Sequence, residues 1–453
     1  MKQFCPVDAR CGACQLLAVP YADQLLQKQS QIEELFQEVA VKDGTAFLPI
    51  IGMDDPFFYR NKVISPYAPG RRIKANSHRS ERSAKGKKRA HGHTGERREI
   101  LCGMYARGTH RIIPTDECLL ENQVAKRIVL AIRDLMPRHH IEPYDEDTGK
   151  GFLRHAIVRV GHQSGEVLVT LVTNGEAFPG AKGFCRDLVN RCPEITTIVQ
   201  NVNMRNTNVI LGDGKERRLY GPGFILDRLC GLSFRISSHS FYQVNATQTE
   251  VLYRRAIELA AVRGDERILD AYCGTGTIGL VAARALQEKR ANDDQEEAAR
   301  ANACELSSCR AVNDTAVKNI AEDSALSAGV IGVDEVIAAI VDARNNAKHN
   351  GIENATFVAK DAGEFMNELA QRRESIDILF MDPPRAGASE EFLNATVHLR
   401  PKRIVYISCN PKTQLRDAAI LQHGGYALKT IQPVDMFPHT DHVENILVLD
   451  LVS

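Results

Sequence analysis

Tryptophan is missing from all 453 residues, so stacking on any flat ligand must fall to Tyr, Phe, His or Arg. No uninterrupted apolar run approaches the roughly 18 residues of a membrane span, and no membrane partner is expected. The opening MKQFCPVDARC lacks the apolar stretch of a secretory leader, which makes the cytoplasm the expected location. Net charge is also lacking: 57 Lys+Arg balance 57 Asp+Glu, so the overall field favours a partner of neither sign. What the chain does have is cysteine. Twelve of them in a compartment where disulfides are rare point to metal ligation or catalysis. The 43% hydrophobic and 25% charged content is that of a soluble globular protein, and the length calls for more than one core.

Charge and texture vary along the chain. Residues 71–98 hold eleven Lys/Arg against two acids, with only alanines as aliphatic anchors after Ile73. Such a segment cannot bury enough surface to order itself and is predicted to be a disordered loop, either a phosphate-binding arm or a solvated insertion. Residues 285–329, rich in Ala, Asp, Glu, Asn and Ser, read as a partly helical insertion without chemistry. The spacing over 21–40 predicts an amphipathic helix. From 46 to 240 strand-like runs such as FLPIIG, HAIVRVG, EVLVTLVT and NVILG dominate, with helices expected at 121–136 and 180–191. After 241, strand-like runs alternate with helical ones. The expected fold class is therefore α/β, with a doubly wound, Rossmann-like C-terminal domain (236–453) and a β-rich α+β N-terminal region (1–235). Ligands should sit at the carboxyl ends of the parallel strands.

Three motifs fall at such ends. ILDAYCGTGTIGL (268–280) carries Gly274, Gly276 and Gly279 between a strand and a helix, which suits close approach of backbone to a ligand. Asp270 just before the loop would repel a pyrophosphate and welcome a cationic aminoacyl group. The loop resembles the first motif of S-adenosyl-L-methionine-dependent methyltransferases. Asp334, ending VIGVD, is the acid expected at ribose hydroxyls, and Asp361 in FVAKD is expected near an adenine. A ligand-free tight turn is the plain alternative for the glycines alone. DILFMDPPRAG (377–387) puts Asp382 before two prolines at a strand end, where it is placed to hold cofactor or substrate.

The third motif is RIVYISCNPKTQL (403–415), a buried strand that stops at Cys409, Asn410 and Pro411. Taken alone, Cys409 could be a buried structural thiol, a ligand or a nucleophile. Near the C-terminus, DMFPHTDHVENILVL brings Glu444, with His442 and Asp441 as alternatives, as a candidate base. At the other end, Cys5, Cys11 and Cys14 lie within ten residues and suggest thiolate ligation of zinc or an iron–sulfur cluster.

SCNP, DPPR, FYQVN (241–245) and DMFPHTDHVE, in this order, resemble the RNA uracil-C5 methyltransferase family over nearly the whole chain outside the two insertions. The resemblance implies methyl transfer from S-adenosyl-L-methionine to carbon 5 of a uridine, with Cys409 adding to carbon 6 and Glu444 removing the carbon 5 proton. It places Gln243, Tyr272, Asp334 and Asp382 around the cofactor, beside the glycine-loop residues Asp270, Gly274 and Gly276 and the adenine-side Asp361. The ribosomal-RNA branch of the family carries a 4Fe–4S cluster with this opening cysteine spacing, so the resemblance favours 23S rRNA as partner and Cys118, rather than Cys102, as fourth ligand. Zinc is the alternative metal, and a tRNA methyltransferase or a noncatalytic RNA-binding factor the alternative function. A monomer is expected. The family often has an RNA-binding barrel ahead of the cysteines; the sequence begins at them, and segment 71–98 is expected to supply phosphate contacts instead.

Overall fold

The computed structural model describes residues 5–73, 97–214, 216–305 and 329–452. Helices α1 (Asp8–Cys11) and α2 (Tyr21–Asp43) precede the short β1 (Ala46–Phe47). Next come β2 (Lys62–Ile73), β3 (Arg97–Tyr105), β4 (Ile112–Pro114) and α3 (Gln123–Leu135). They are followed by β5 (Leu153–Val160), β6 (Val167–Thr173), α4 (Ala181–Arg191), β7 (Ile195–Val202) and β8 (Arg217–Tyr220). A hairpin of β9 (Ile225–Leu229) and β10 (Leu232–Ile236) leads into α5 (Ala246–Ala260). Alternation then begins with β11 (Arg267–Ala271), α6 (Thr277–Glu305), β12 (Gly329–Asp334), α7 (Ile337–His349), β13 (Ala355–Ala359) and α8 (Ala362–Gln371). It continues with β14 (Ile378–Met381), α9 (Glu390–Leu399), β15 (Arg403–Ser408) and α10 (Pro411–His423), and closes on β16 (Tyr426–Val434) and β17 (Glu444–Leu451).

The chain folds as two compact units. The first comprises residues 1–14, 57–161 and 165–225; the second comprises 15–56, 162–164 and 226–453. The N-terminal region expected as one block of 1–235 thus cedes 15–56 to the C-terminal unit, for a visible reason. The buried residues of α2 are Gln24, Lys28, Ile32, Phe36 and Ala40, one every fourth position. Ile32, Phe36 and Ala40 enter the same apolar core as Leu379, Tyr406 and Leu447. Full burial of Ile32 and Phe36 is worth about 1.5–3 kcal/mol each. Residues 162–164 follow because their backbone N–H groups all donate to the buried Asp227 carboxylate at 2.9–3.3 Å.

The first unit is a seven-stranded sheet in the order β4-β3-β2-β5-β6-β7-β8. Its central strands β5 and β6 are buried throughout; β6 (VLVTLVT) is nearly all apolar, whereas β5 also buries Arg154, His155 and Arg159. Helix α3 packs Ala125, Ile128, Val129 and Ile132 into the core that includes Val158 and Val169. NVILG (208–212) forms no strand. Asn203 Nδ2 takes the carbonyls of Val209 and Ile210 at 2.7 and 2.9 Å, curling the segment away from the ladder. FLPIIG likewise shortens to β1 and one bridge, Ile51 to Val434.

The second unit holds an eight-stranded sheet, β1-β16-β17-β15-β14-β11-β12-β13. Strands β11 to β15 are parallel, and β17 runs antiparallel between β15 and β16. The chain winds outward from β11 through β12 to β13, then returns to β14 on the other side of β11. That reversal opens a crevice at the carboxyl ends of β11 and β14, the doubly wound arrangement read from the sequence. Most of segment 71–98 and the later part of 285–329 lie outside the described residues; of the latter, α6 runs on to Glu305.

Candidate active site

The loop after β11 turns sharply. Tyr272, Gly274 and Gly276 all have positive φ, which costs a glycine nothing and a tyrosine some strain. A Cβ on Gly276 would lie 2.8 Å from the Phe357 ring, and one on Gly279 would lie 2.7 Å from Asp270 Oδ2. The third glycine is therefore demanded by Asp270, whose Oδ2 accepts the Gly279 N–H at 2.8 Å. Asp334, at the end of β12, reaches back to the same loop: Oδ2 accepts from Gly274 N at 3.0 Å and Oδ1 from Val336 N at 2.8 Å. Asp361 caps α8 through Glu364 N, and the Tyr272 ring leans on Phe392 with centroids 5.0 Å apart. Gln243, half-buried, is held between two anchored neighbours in FYQVN. The Tyr242 hydroxyl donates to Asp227, and Asn245 caps α5 while its Nδ2 donates to the Met436 carbonyl at 2.9 Å.

The remaining residues converge from the next strands. Asp382 follows β14, Cys409 follows β15, and Glu444 opens β17. The antiparallel register of β15 and β17 ends at Ser408 and Asn445, and Cys409 and Glu444 are the next residue of each chain segment at the mouth of the sheet, where the Glu444 charge acts on the thiol. The electrostatics are those of an acidic cup. Burial, then the charges of Asp382 and Asp334, push Asp270 up to about 8. Burial pushes Asp382 up to about 7, and burial together with Asp382 holds Glu444 well above the carboxylate range. The Cys409 thiol rises to about 11 through burial and the Glu444 and Asp382 charges, with Arg385 pulling the other way. Acids that raise one another in this fashion are complementary to a cationic ligand.

Sequence reading missed the frame that holds these groups. The fully buried Asp417 accepts from the Tyr406 hydroxyl at 2.7 Å and from Ala388 N at 2.9 Å, fixing the loop that follows Asp382. Asn410 Nδ2 donates to the Arg385 carbonyl at 3.0 Å from the other side of that loop. Lys28 and Asp435 form a buried ion pair at 2.6 Å, and Asp435 also accepts from the Tyr21 hydroxyl at 2.9 Å. The available signal was polarity in the wrong place: Gln414 and Asp417 occupy the apolar face of α10 with Ala418 and Leu421, as Lys28 does in α2.

The other cysteine group lies in the first unit. Cys5 and Cys11 pack against Val7, Ala106 and Ile113. Cys14 is pushed up to about 12 by burial and then by Cys118 and Cys11, against the pull of Arg60; Cys118 is raised by burial and Glu121. The donors are of the right chemical kind for a thiophilic group. Among the described residues, however, no group of three or more His, Cys, Asp or Glu is arranged to hold a metal ion, so the arrangement gives the expected cluster no support.

A family model described as tRNA (Uracil-5-)-methyltransferase matches residues 328–451, the stretch that carries Asp334, Asp382, Cys409 and Glu444. An uncharacterized RNA methyltransferase of Halalkalibacterium halodurans is 36% identical over 448 residues, covering 99% of this chain and 83% of that protein. One from Listeria monocytogenes is 36% identical over 447 residues with the same coverage. In fold, the chain is similar to the Pyrococcus abyssi tRNA (uracil-54, C5)-methyltransferase solved with S-adenosyl-L-homocysteine, with a TM-score of 0.66 and 24% identity over 97% of this chain and 86% of that one. With similarity sustained over nearly its whole length, the chain belongs to the S-adenosyl-L-methionine-dependent RNA uracil-C5 methyltransferase family.

Proposed function

We propose that this enzyme methylates carbon 5 of a specific uridine in 23S rRNA through a covalent adduct between Cys409 and uracil carbon 6. The observation that supports the reading is the antiparallel run of β15 and β17, which ends at Ser408 and Asn445, so that Cys409 and Glu444 follow at one mouth and the Glu444 charge raises the thiol. Carbon 5 of uracil is a poor nucleophile. Addition of the Cys409 thiolate at carbon 6 pushes electrons to carbon 5, which then takes the methyl group. Glu444 accepts the carbon 5 proton, the carbon 6–sulfur bond breaks, and the thiolate is restored. The donor's chemistry is supply of a methyl group from a sulfonium.

Asp270, Asp382 and Asp334 are assigned to the donor's cationic and ribose groups, with Gly274 and Gly276 giving backbone approach. Tyr272 and Asp361 are assigned to its adenine side, and Gln243 to the cofactor mouth. Burial and the Asp382 charge raise Glu444 well above the ordinary carboxylate range. A cationic ligand in the cup favours its ionised form. Loss of that positive charge on methyl transfer then leaves a stronger base at the moment the carbon 5 proton must go. The target base has to be unstacked to reach Cys409, at a cost of a few kcal/mol.

The first unit is assigned to RNA binding, with Arg217 and Arg218 exposed on its edge strand β8. Cys5, Cys11, Cys14 and Cys118 are assigned to a 4Fe–4S cluster, with zinc as the alternative. Donor chemistry supports a thiophilic group, iron over zinc rests on the family resemblance, and no catalytic step runs through it. Iron and sulfide analysis of anaerobically purified protein tests it; a metal-free protein, or one with zinc alone, contradicts the cluster.

Site-mapped nucleoside mass spectrometry of RNA from cells with and without the protein tests the substrate. Loss of 5-methyluridine at a 23S position is expected, and loss confined to tRNA would transfer the assignment to tRNA.

A further inference from the structure

The ends of β15 and β17 are joined by a polar clasp that apolar packing does not require. Gln414, on the first turn of α10, is fully buried. Its Nε2 donates to the Tyr406 carbonyl on β15 at 2.9 Å and to the Asn445 carbonyl on β17 at 3.0 Å. Its Oε1 accepts from Asn445 Nδ2 at 2.8 Å. Carbonyls can only accept, so the Gln414 amide has one workable orientation, and through it so does that of Asn445. The result is that Asn445 Oδ1, wholly buried, meets no donor among the described residues. An unmet buried acceptor lowers stability, a cost set against the two backbone carbonyls that the clasp satisfies.

What the clasp supplies is position. Asn445 is paired with Ser408, one step inside the Cys409–Glu444 pair. Gln414 grips a carbonyl on each of the two strands just below that pair. It does so from the helix that begins at Pro411, so the element that spaces the strands also sets the direction in which the chain leaves Cys409. Ser408 Oγ, accepting from Asn410 N at 3.1 Å, fixes the intervening turn.

We propose that Gln414 and Asn445 are positioning residues that hold the Glu444 carboxyl in line for the proton removal that releases the Cys409 adduct. Neither touches substrate. The inference rests on the adduct mechanism proposed above, and acts on its second half. Loosening the mouth slows elimination, which needs Glu444 in register with the adduct, more than thiol addition, which needs Cys409 deprotonated and in reach of carbon 6 but no proton transfer at carbon 5.

The test is the double variant Gln414→Leu/Asn445→Val. Its thermal midpoint establishes that it is folded, and its S-adenosyl-L-methionine affinity should stay within about twofold. On 5-fluorouridine RNA, where elimination is blocked, it should form adduct at a rate within about threefold of the parent. On ordinary RNA its adduct should persist about ten- to a hundredfold longer. Unchanged adduct lifetime in the folded double variant overturns the proposal, as does equal slowing of both steps. If the double variant does not fold, Gln414→Glu, which keeps the size and the acceptor and loses the bridging donor, is read in the same way. Absence of any adduct in the parent would instead sink the mechanism on which the clasp depends.

Discussion

Burial lifts two thiols of this chain to similar heights, Cys409 to about 11 and Cys14 to about 12, yet their neighbours differ in kind. Cys409 faces the carboxyls Glu444 and Asp382 and the Arg385 guanidinium; Cys14 faces the thiols Cys118 and Cys11 together with the Arg60 guanidinium and the Asp8 carboxyl. A thiol beside carboxyls has a partner that can exchange a proton with it. Among neighbouring thiols each ionisation makes the next harder, an order that a bound cation reverses. The comparison teaches that burial alone does not identify a nucleophile, since it raises both. What distinguishes Cys409 is the side chain that strand register sets opposite it.

The largest expected effect separates the two thiols directly. Cys409→Ser should lower methyl transfer at least about a thousandfold, while Cys14→Ser should leave turnover on a short RNA within about threefold. Single-turnover assays with tritiated methyl donor measure both. Equal losses with intact donor binding would erase the distinction.

Next in size is the support of the catalytic end. Lys28→Met leaves Asp435 buried without its cation and should cost about 3–5 kcal/mol in urea unfolding, with most of it regained in Lys28→Met/Asp435→Leu. No regain would mean that the pair is not the source of the loss.

A third test uses pH. Burial holds the folded Asp270 pKa near 8 against an ordinary 3.8, so the folded state keeps a proton that the unfolded chain has released. The associated stability is complete below about 4 and lost as pH rises through 8. Asp270→Asn should therefore gain stability over the parent, by an amount that widens by up to about 4 kcal/mol between pH 5 and 8. Thermal unfolding across that range checks it, and a gap independent of pH contradicts the acidic-cup account.

The smallest effects compare the units through their helix caps. Asn122→Ala, at the start of α3, removes bonds to Val124 N and Ala125 N and should cost about 1 kcal/mol. Asn245→Ala should cost more, because Asn245 also holds the Met436 carbonyl. Equal losses would remove Asn245 as a link between the FYQVN and DMFPHTDHVE motifs.

Periodicity made much of the fold readable. The β-branched run of β6 reads as a central strand, and the alternation after 241 as a wound sheet. The glycine loop, Asp334, Asp382, Cys409 and Glu444 were visible as breaks at strand ends. What stayed hidden depends on distant partners. Nothing in 21–43 says that its helix packs beside β16 rather than with the region that follows it. Asn203 defeats the strand expected at 208–212 through side-chain bonds that no propensity encodes. Gln414 looks like an ordinary helix residue until Tyr406 and Asn445 are seen on either side of it. Of the basic segment the sequence supports a charge argument only, and it lies largely outside the described residues.

The measurement that meets the central claim most directly is incubation with 5-fluorouridine RNA and S-adenosyl-L-methionine, followed by peptide mapping. The account predicts a methylated RNA–protein adduct that survives denaturation and maps to Cys409, absent in Cys409→Ser and accumulating on ordinary RNA in Glu444→Gln. Methyl transfer without an adduct, or an adduct at any other cysteine, would contradict it.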